Sequence, residues 1–563
     1  MSKEDEAQKR AERLKRARAL AARGGASGPT GPSSGPSVPA PPAPPASPPA
    51  PAVPGAPPKP EPGVWGDAPA RPGANALVES AQASSSLTAA SADATRSLRA
   101  SLLDMITGLL KPRSAPSLPV PVVLPPPEPP LLTVLLAALD GDSDGTAATQ
   151  LFQVLTARPQ FKVKPLAKLF QLPGFDDPTL VTTVAMNTRH TVVEAEGDLL
   201  LWGELTADGY ALRLTTPSGE DDRFGPPTRI ELPREIDDTA ANLLFAALLA
   251  AAEPGGESRR AALRRLLLPA AQAIEPLAQR PPVALTMPQQ RSVQVIYGHV
   301  AATLSTLVGA EQAGPWADRA VTAYRQAARR LGRTDPAWEG GLLHRAVAGV
   351  IAAKADRAKD PAPLLEESIT EWRAAAEAIP RAMMPQDWAS IQTRLGAALF
   401  RLDLMTGRIE LLREALQTLQ STLQVYTRTE TPNRWADVMH TLAQVLEVYG
   451  DQLRSVEVLE RAVEACHQVL EIRTRDRTPL TWASIQNTLG STLFLLDRHS
   501  SEGAGHLAEA EVALMGALEV FQLYRARRPA KVAARNLDHV RRLIESRRNR
   551  AVVEPHWLHE RSR

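Results

Sequence analysis

The residues whose types and spacing come nearest to chemistry are Asp140, Asp142, Asp144 and Gly145. They match the opening of a calcium loop, in which alternate carboxylates and a turn-forming glycine gather oxygens around a cation. The pattern then requires a bidentate Glu at 151, where this chain has Leu151, and the residues before it read as a strand where a helix should enter. The string therefore predicts a strand-to-helix turn, with Asp142 or Asp144 capping the helix. His556 and His559 are the one histidine pair with ligand spacing, but they lie in a tail that no element holds, so no metal is expected. Cys466 and His467 are adjacent, and neighbouring residues on a helix do not face each other, so Cys466 reads as a small buried side chain and not as a nucleophile. A phosphate-cradling glycine loop, a nucleophile elbow, a metalloprotease helix and a kinase signature are all absent from the sequence. Neither catalysis nor a cofactor is expected.

The composition turns attention to architecture. Eighteen of the 51 prolines fall between Pro29 and Pro72, a density at which neither helix nor sheet persists. The net charge of +2 hides a polarity: residues 1–23 carry eight Lys/Arg against four Asp/Glu, and residues 525–563 carry twelve against four. The body between them is thus acidic, at −10. Basic ends could meet anionic lipid, or could simply be solvated; nucleic acid is not expected as a partner. A single cysteine excludes a disulfide framework and a cysteine zinc site. The charged start has no apolar stretch after it, as a secretory signal would, and no run approaches a membrane span, so a reducing cytoplasm is the expected compartment. Heavy use of Ala, Arg, Pro and Gly points to a GC-rich bacterial genome.

The expected organisation is multidomain and mainly α. Residues 1–23 predict a charged helix, and 24–130 a disordered Pro/Ala/Ser-rich arm. Within the arm, Leu98, Leu102, Met105, Ile106 and Leu109 recur at helical spacing, which predicts a short amphipathic helix at 98–110. Residues 131–254 alternate strand and helix signals: a strand at 131–139, a helix at Thr146–Thr156, a strand at 161–166, a helix from Pro178, a hairpin around TADG, an edge strand TRIELP and an Ala/Leu-rich helix. This is a small α/β sandwich. Its order, with DLLLWGEL at 198–205 after a helix, resembles the N-terminal α/β domain of TolB-like bacterial proteins. Residues 255–286 read as a helical connector, and 547–563 as a disordered tail.

The strongest signal is an internal repeat. Trp388, Trp435 and Trp482 are 47 residues apart, and each lies three residues after a proline. Aligned on them, Ile391, Val438 and Ile485 coincide, as do Leu395, Leu442 and Leu489, then Leu399, Leu446 and Leu493, all on one helix face. A second helix follows in each unit, with Ala415, Ala462 and Ala510 in register where two helices must approach closely. The helix–turn–helix unit, with Leu395–Gly396, Leu489–Gly490 and the aligned alanines, resembles tetratricopeptide repeats. The unit of 47 exceeds that family's roughly 34 residues, so its helices must be longer. Degenerate units precede, and a basic helix from Pro529 closes the array, giving an α-solenoid over 287–546.

By spacing, the tryptophans are core wedges, not a ligand cage. The resemblance implies a concave groove along the first helices, lined by Ser390, Thr393, Asp437, His440, Gln444, Ser484, Asn487 and Ser491. Small and polar, these suit an extended peptide or a helix of a protein partner. The expected function is a non-enzymatic interaction scaffold. The alternatives are a membrane-surface assembly factor anchored weakly by the basic start and the 98–110 helix, and a small-molecule-sensing regulator or enzyme acting through the α/β domain.

Overall fold

The computed structural model describes residues 130–553, apart from 173, 219–222 and 501–504. The expected charged helix, proline-rich arm and 98–110 helix lie outside these residues, as do His556 and His559.

The first part alternates strands and helices: β1 (Leu132–Ala138), α1 (Thr146–Thr156), β2 (Phe161–Leu169), α2 (Pro178–Glu194), β3 (Leu199–Leu205), β4 (Gly209–Thr215), β5 (Ile230–Pro233) and α3 (Asp238–Ala251). The strands form one mixed sheet, ordered β2-β1-β3-β4-β5, parallel on the β2-β1-β3 side and antiparallel through β4 and β5. The crossover β1-α1-β2 runs one way along the sheet and β2-α2-β3 runs back, so connections of the same hand place α1 and α2 on opposite faces. Alternation in the strands matches this. Leu132, Val134, Leu136, Leu199 and Leu201 face the main core, while Leu135, Ala137, Leu200 and Trp202 face a smaller cluster with Val192 of α2. Gly203 permits the close β3–β4 approach, since a Cβ there would lie 2.1 Å from the Ala211 carbonyl oxygen. Asp142 accepts from the backbone N–H groups of Ala147 and Ala148 at 3.1 and 2.8 Å, so this carboxylate serves the start of α1.

From α4 (Glu257–Gln279) onward the chain is helical. Five hairpins follow: α5 (Met287–Leu307) with α6 (Ala310–Ala328), α7 (Ala337–Ala355) with α8 (Ala362–Ala378), α9 (Pro385–Thr406) with α10 (Ile409–Thr422), α11 (Pro432–Leu453) with α12 (Val456–Leu470), and α13 (Pro479–His499) with α14 (His506–Leu523). Helix α15 (Arg527–Val553) closes the stack. The chain is thus a helical-repeat protein carrying a small mixed sheet. Helix α15 runs past 547, where a tail was expected, because no helix breaker occurs before Pro555 and Arg547 is held by Asp497 at 2.5 and 3.0 Å; the expected tail beyond 553 lies outside the described residues.

The 255–286 segment does not merely connect. Leu263, Leu267, Ala271 and Ile274 of α4 are fully buried in a core that runs unbroken from the sheet through α3 and α4 into α5, α6 and α7. Helix α5 also covers the sheet's edge. Ser292 Oγ accepts from the Glu231 backbone N–H at 2.9 Å, and Gln289, part of the capping box that starts α5, donates to the Asp208 carbonyl at 2.9 Å. A free strand edge is thereby satisfied by the first repeat helix. Among the described residues, no helix is long and apolar enough to cross a membrane.

Candidate functional site

The repeat residues fall where the spacing places them. Leu395, Leu442 and Leu489 are buried, and Ala415, Ala462 and Ala510 are fully so. A Cβ at Gly396 or Gly490 would lie 2.7 or 2.5 Å from Leu419 or Leu514, which explains the small residues at the hairpin crossing. Trp435 is buried, and Trp388 and Trp482 pack against the core clusters. Each indole is also covered by an arginine seven residues earlier: Arg381 over Trp388, Arg428 over Trp435 and Arg475 over Trp482, at 5.0, 5.6 and 5.5 Å from the ring centroids. These arginines reach on to Gln424, Glu471 and Glu519 near the ends of the second helices. The recurrence of Arg, six residues, then Trp is visible in the sequence and was the missed signal.

The expected groove is not open. Ser390, Gln444, Ser484, Asn487 and Ser491 are buried. Ser491 donates to the Asn487 and Thr488 carbonyls at 3.0 and 3.1 Å, and Asn536 of α15 donates to Asn487 Oδ1 at 3.3 Å. Thr393 is half-buried and donates to the Ala389 carbonyl. His440 meets Thr488 at 3.3 Å across the α11–α13 contact, and burial lowers its pKa to about 4, so its imidazole is neutral. Asp437 alone is exposed, paired with Arg473 at 2.6 Å. First helices of 21 or 22 residues pack both on their own second helix and on the next first helix, so the face assumed free is spent on the stack.

Two other surfaces stand out. On α14, Leu507, Ala510, Leu514 and Ala517 face inward, while Val512, Met515 and Leu523 face solvent with 71%, 47% and 71% of their surface exposed. Spacings of three and eight put them on one side of the helix. Tyr524, at the end of the helix, is also exposed, and Arg541 of α15 borders Met515, with Nε 2.7 Å from Glu511 and Nη2 3.3 Å from the Met515 sulfur. Helix α2 likewise exposes Met186 and Val193.

The second surface is a cleft of about 370 Å³ where the sheet edge meets α5, α7, α8 and α9. Its charged wall is a network across the sheet–repeat junction. Glu339 of α7 takes Arg291 of α5 at 2.6 Å and Arg229, just before β5, at 3.6 Å; Arg229 also meets Glu231 at 2.8 Å, and Arg291 meets Asp335 at 3.0 Å. Burial raises the carboxyl pKa of both Glu231 and Glu339, against the pull of these arginines. Arg345 pairs with Asp387 at 2.7 Å, and Arg223 donates to the His299 carbonyl and to Thr303 at 2.9 and 3.1 Å. The other walls are apolar: Val295, Trp338, Leu342, Leu343 and Val350.

No family model matches the chain, and no curated protein matches it. Among solved structures it is similar to BtubC from P. vanneervenii, at 13% identity, 50% coverage of this chain and 91% of that one, with a TM-score of 0.26. A Rap protein complexed with Competence and Sporulation Factor is similar at 12% identity, 55% and 77% coverage and a TM-score of 0.26. A circular tandem repeat protein with novel repeat topology gives 15% identity, 56% and 85% coverage and a TM-score of 0.23. At these values the likenesses carry no argument about activity or partners, and the hairpin stack stands on its own packing.

Proposed function

We propose that this chain is a non-enzymatic, cytoplasmic interaction scaffold that holds a helix or peptide of a protein partner on the outer face of α14. The observation that carries this reading is the solvent-facing stripe of Val512, Met515 and Leu523. Val512 and Met515 have the spacing of a helix-packing face, Leu523 lies on the same side beyond the Glu519–Arg475 pair, and exposed apolar residues rimmed by charged groups mark interaction sites. The exposed apolar residues of α2 offer a second contact on the α/β layer. The hairpins belong to this reading as tetratricopeptide-like units with lengthened helices. The likeness of the α/β layer to TolB-like domains enters only as an analogy resting on the segment DLLLWGEL at 198–205. Affinity capture with the full chain and with a Val512→Glu/Leu523→Glu variant tests it. The variant should keep its melting temperature, since both side chains face solvent, and lose a partner that the wild type retains. Equal capture by the two proteins would rule the α14 face out.

A second reading, a regulator that senses a small molecule, is favoured by the cleft, whose volume lies in the range of roughly 300–1,000 Å³ typical of small-ligand pockets.

A further inference from the structure

We infer that the partner seated on α14 is an acidic amphipathic helix, whose apolar side rests on Val512 and Met515 and whose carboxylates meet the basic junction between α14 and α15. The inference rests on the scaffold reading and names the chemistry of its partner.

Four cations stand close together at this junction: Arg525 in the turn, then Arg527, Arg528 and Lys531 at the start of α15. All four are exposed, and none of their side chains makes an ion pair or a hydrogen bond among the described residues. Pro529, Val532 and Ala533 beside them are buried, so α15 turns its packing face inward and its basic face out. The first turn of α15 holds no acidic residue. Carboxylates close by in the chain already have partners: Glu519 holds Arg475 and Asp538 holds Arg542, each at 2.6 Å. Leu480 of α13 packs in the same cluster as Ala526 and Ala530, and the turn before it adds Arg477 against Asp476, which leaves the surplus unchanged. Over its whole length α15 carries nine Lys/Arg against two carboxylates; adding Glu511 and Asp497, which hold Arg541 and Arg547, leaves nine against four. Like charges three and four residues apart on a helix repel one another, and a carboxylate-bearing partner relieves that repulsion.

The surface alongside is apolar. Arg541 reaches both Glu511 and the Met515 sulfur, which sets the basic helix beside the exposed Val512 and Met515. Leu523 and Tyr524, also exposed, stand in the chain between those residues and the cations. From Val512 to Leu523, α14 runs about 16 Å, or about three turns, and a helix roughly 10–12 Å across can lie along it. Apolar contact at one end and unpaired cations at the other match a partner of the complementary polarity. Glu511 and Glu519 flank the apolar positions, which suits a narrow helix seated between them and opposes insertion into an anionic bilayer.

Selection from a displayed library of helices of about 16 residues, with leucines fixed along one side and every other position random, tests the partner's chemistry on the full chain. Peptides retained by the wild type should show at least a threefold excess of Asp and Glu over the starting library. An Arg527→Gln/Arg528→Gln/Lys531→Gln variant should keep its melting temperature, since these side chains hold nothing in the fold, and should retain peptides without that excess. Val512→Glu/Leu523→Glu should retain neither kind. Retained peptides that need Val512 but carry no acidic excess would leave the α14 reading standing and overturn the acidic class. An acidic excess that survives the triple glutamine variant, or that persists in the Val512→Glu/Leu523→Glu protein, would overturn the inference, as would retention of no peptide at all. Flotation of the wild-type chain with phosphatidylserine vesicles, lost in the glutamine variant and unaccompanied by peptide selection, would assign the surface to a membrane instead.

Discussion

Glu447 shows how one residue can depart from its repeat. It stands where the flanking units have Phe400 and Phe494, it is fully buried, and neither carboxylate oxygen has a hydrogen-bond partner. Burial raises its pKa to about 8; the nearby Ser491 hydroxyl opposes the rise and Asp451 adds to it. In the unfolded chain the same group titrates near 4.5. Between these values the unfolded state releases a proton that the folded state keeps, so this group's effect on stability is least unfavourable below pH 4.5. Its penalty grows as pH rises towards 8 and levels off above it. Glu447→Leu should stabilise the chain by roughly 1–3 kcal/mol at neutral pH and reduce the fall in melting temperature between pH 5 and 8. A variant less stable than wild type at pH 8 would show that the carboxylate is compensated. The 47-residue repeat puts Glu447 in register with the two phenylalanines, a departure the sequence reading did not single out. The polar residues expected to line a groove failed for another reason. Ser484, Asn487 and Ser491 look like surface residues by type, and only the neighbouring first helix and α15 bury them.

At the scale of elements, the hairpins were legible because packing fixes residue type at every turn of the first helices, and strands because alternation in β1 and β3 follows two different cores. Tryptophan was legible as a wedge, whereas its arginine cover lay in the same repeat unread. Trp435→Ala should cost about 3–5 kcal/mol, since a buried indole and its stacked Arg428 are lost together and the loss reaches both flanking hairpins. An unchanged denaturant midpoint would place that indole outside the core. The cleft was not legible at all: Arg229, Arg291 and Glu339 are separated by up to 110 residues, and only the docking of α5 on the sheet edge brings them together.

At the scale of the whole described unit, the shared core makes the sheet and the first hairpins one cooperative body. Leu267→Ala, at a fully buried site between them, should cost about 2–5 kcal/mol and lower the unfolding midpoints of both parts together. Hydrogen exchange in β3 and in α5 would report the two parts separately, and a loss of protection confined to one would mean that two domains fold independently. The scaffold reading itself is tested most directly by contact. A photo-crosslinking amino acid placed at Met515 of the full chain, in its native cell, should form a covalent adduct with a defined protein. The same probe at Glu430, an exposed turn residue away from the stripe, should not. Adducts of equal yield at both positions, or none at 515, would contradict the claim that the outer face of α14 holds the partner.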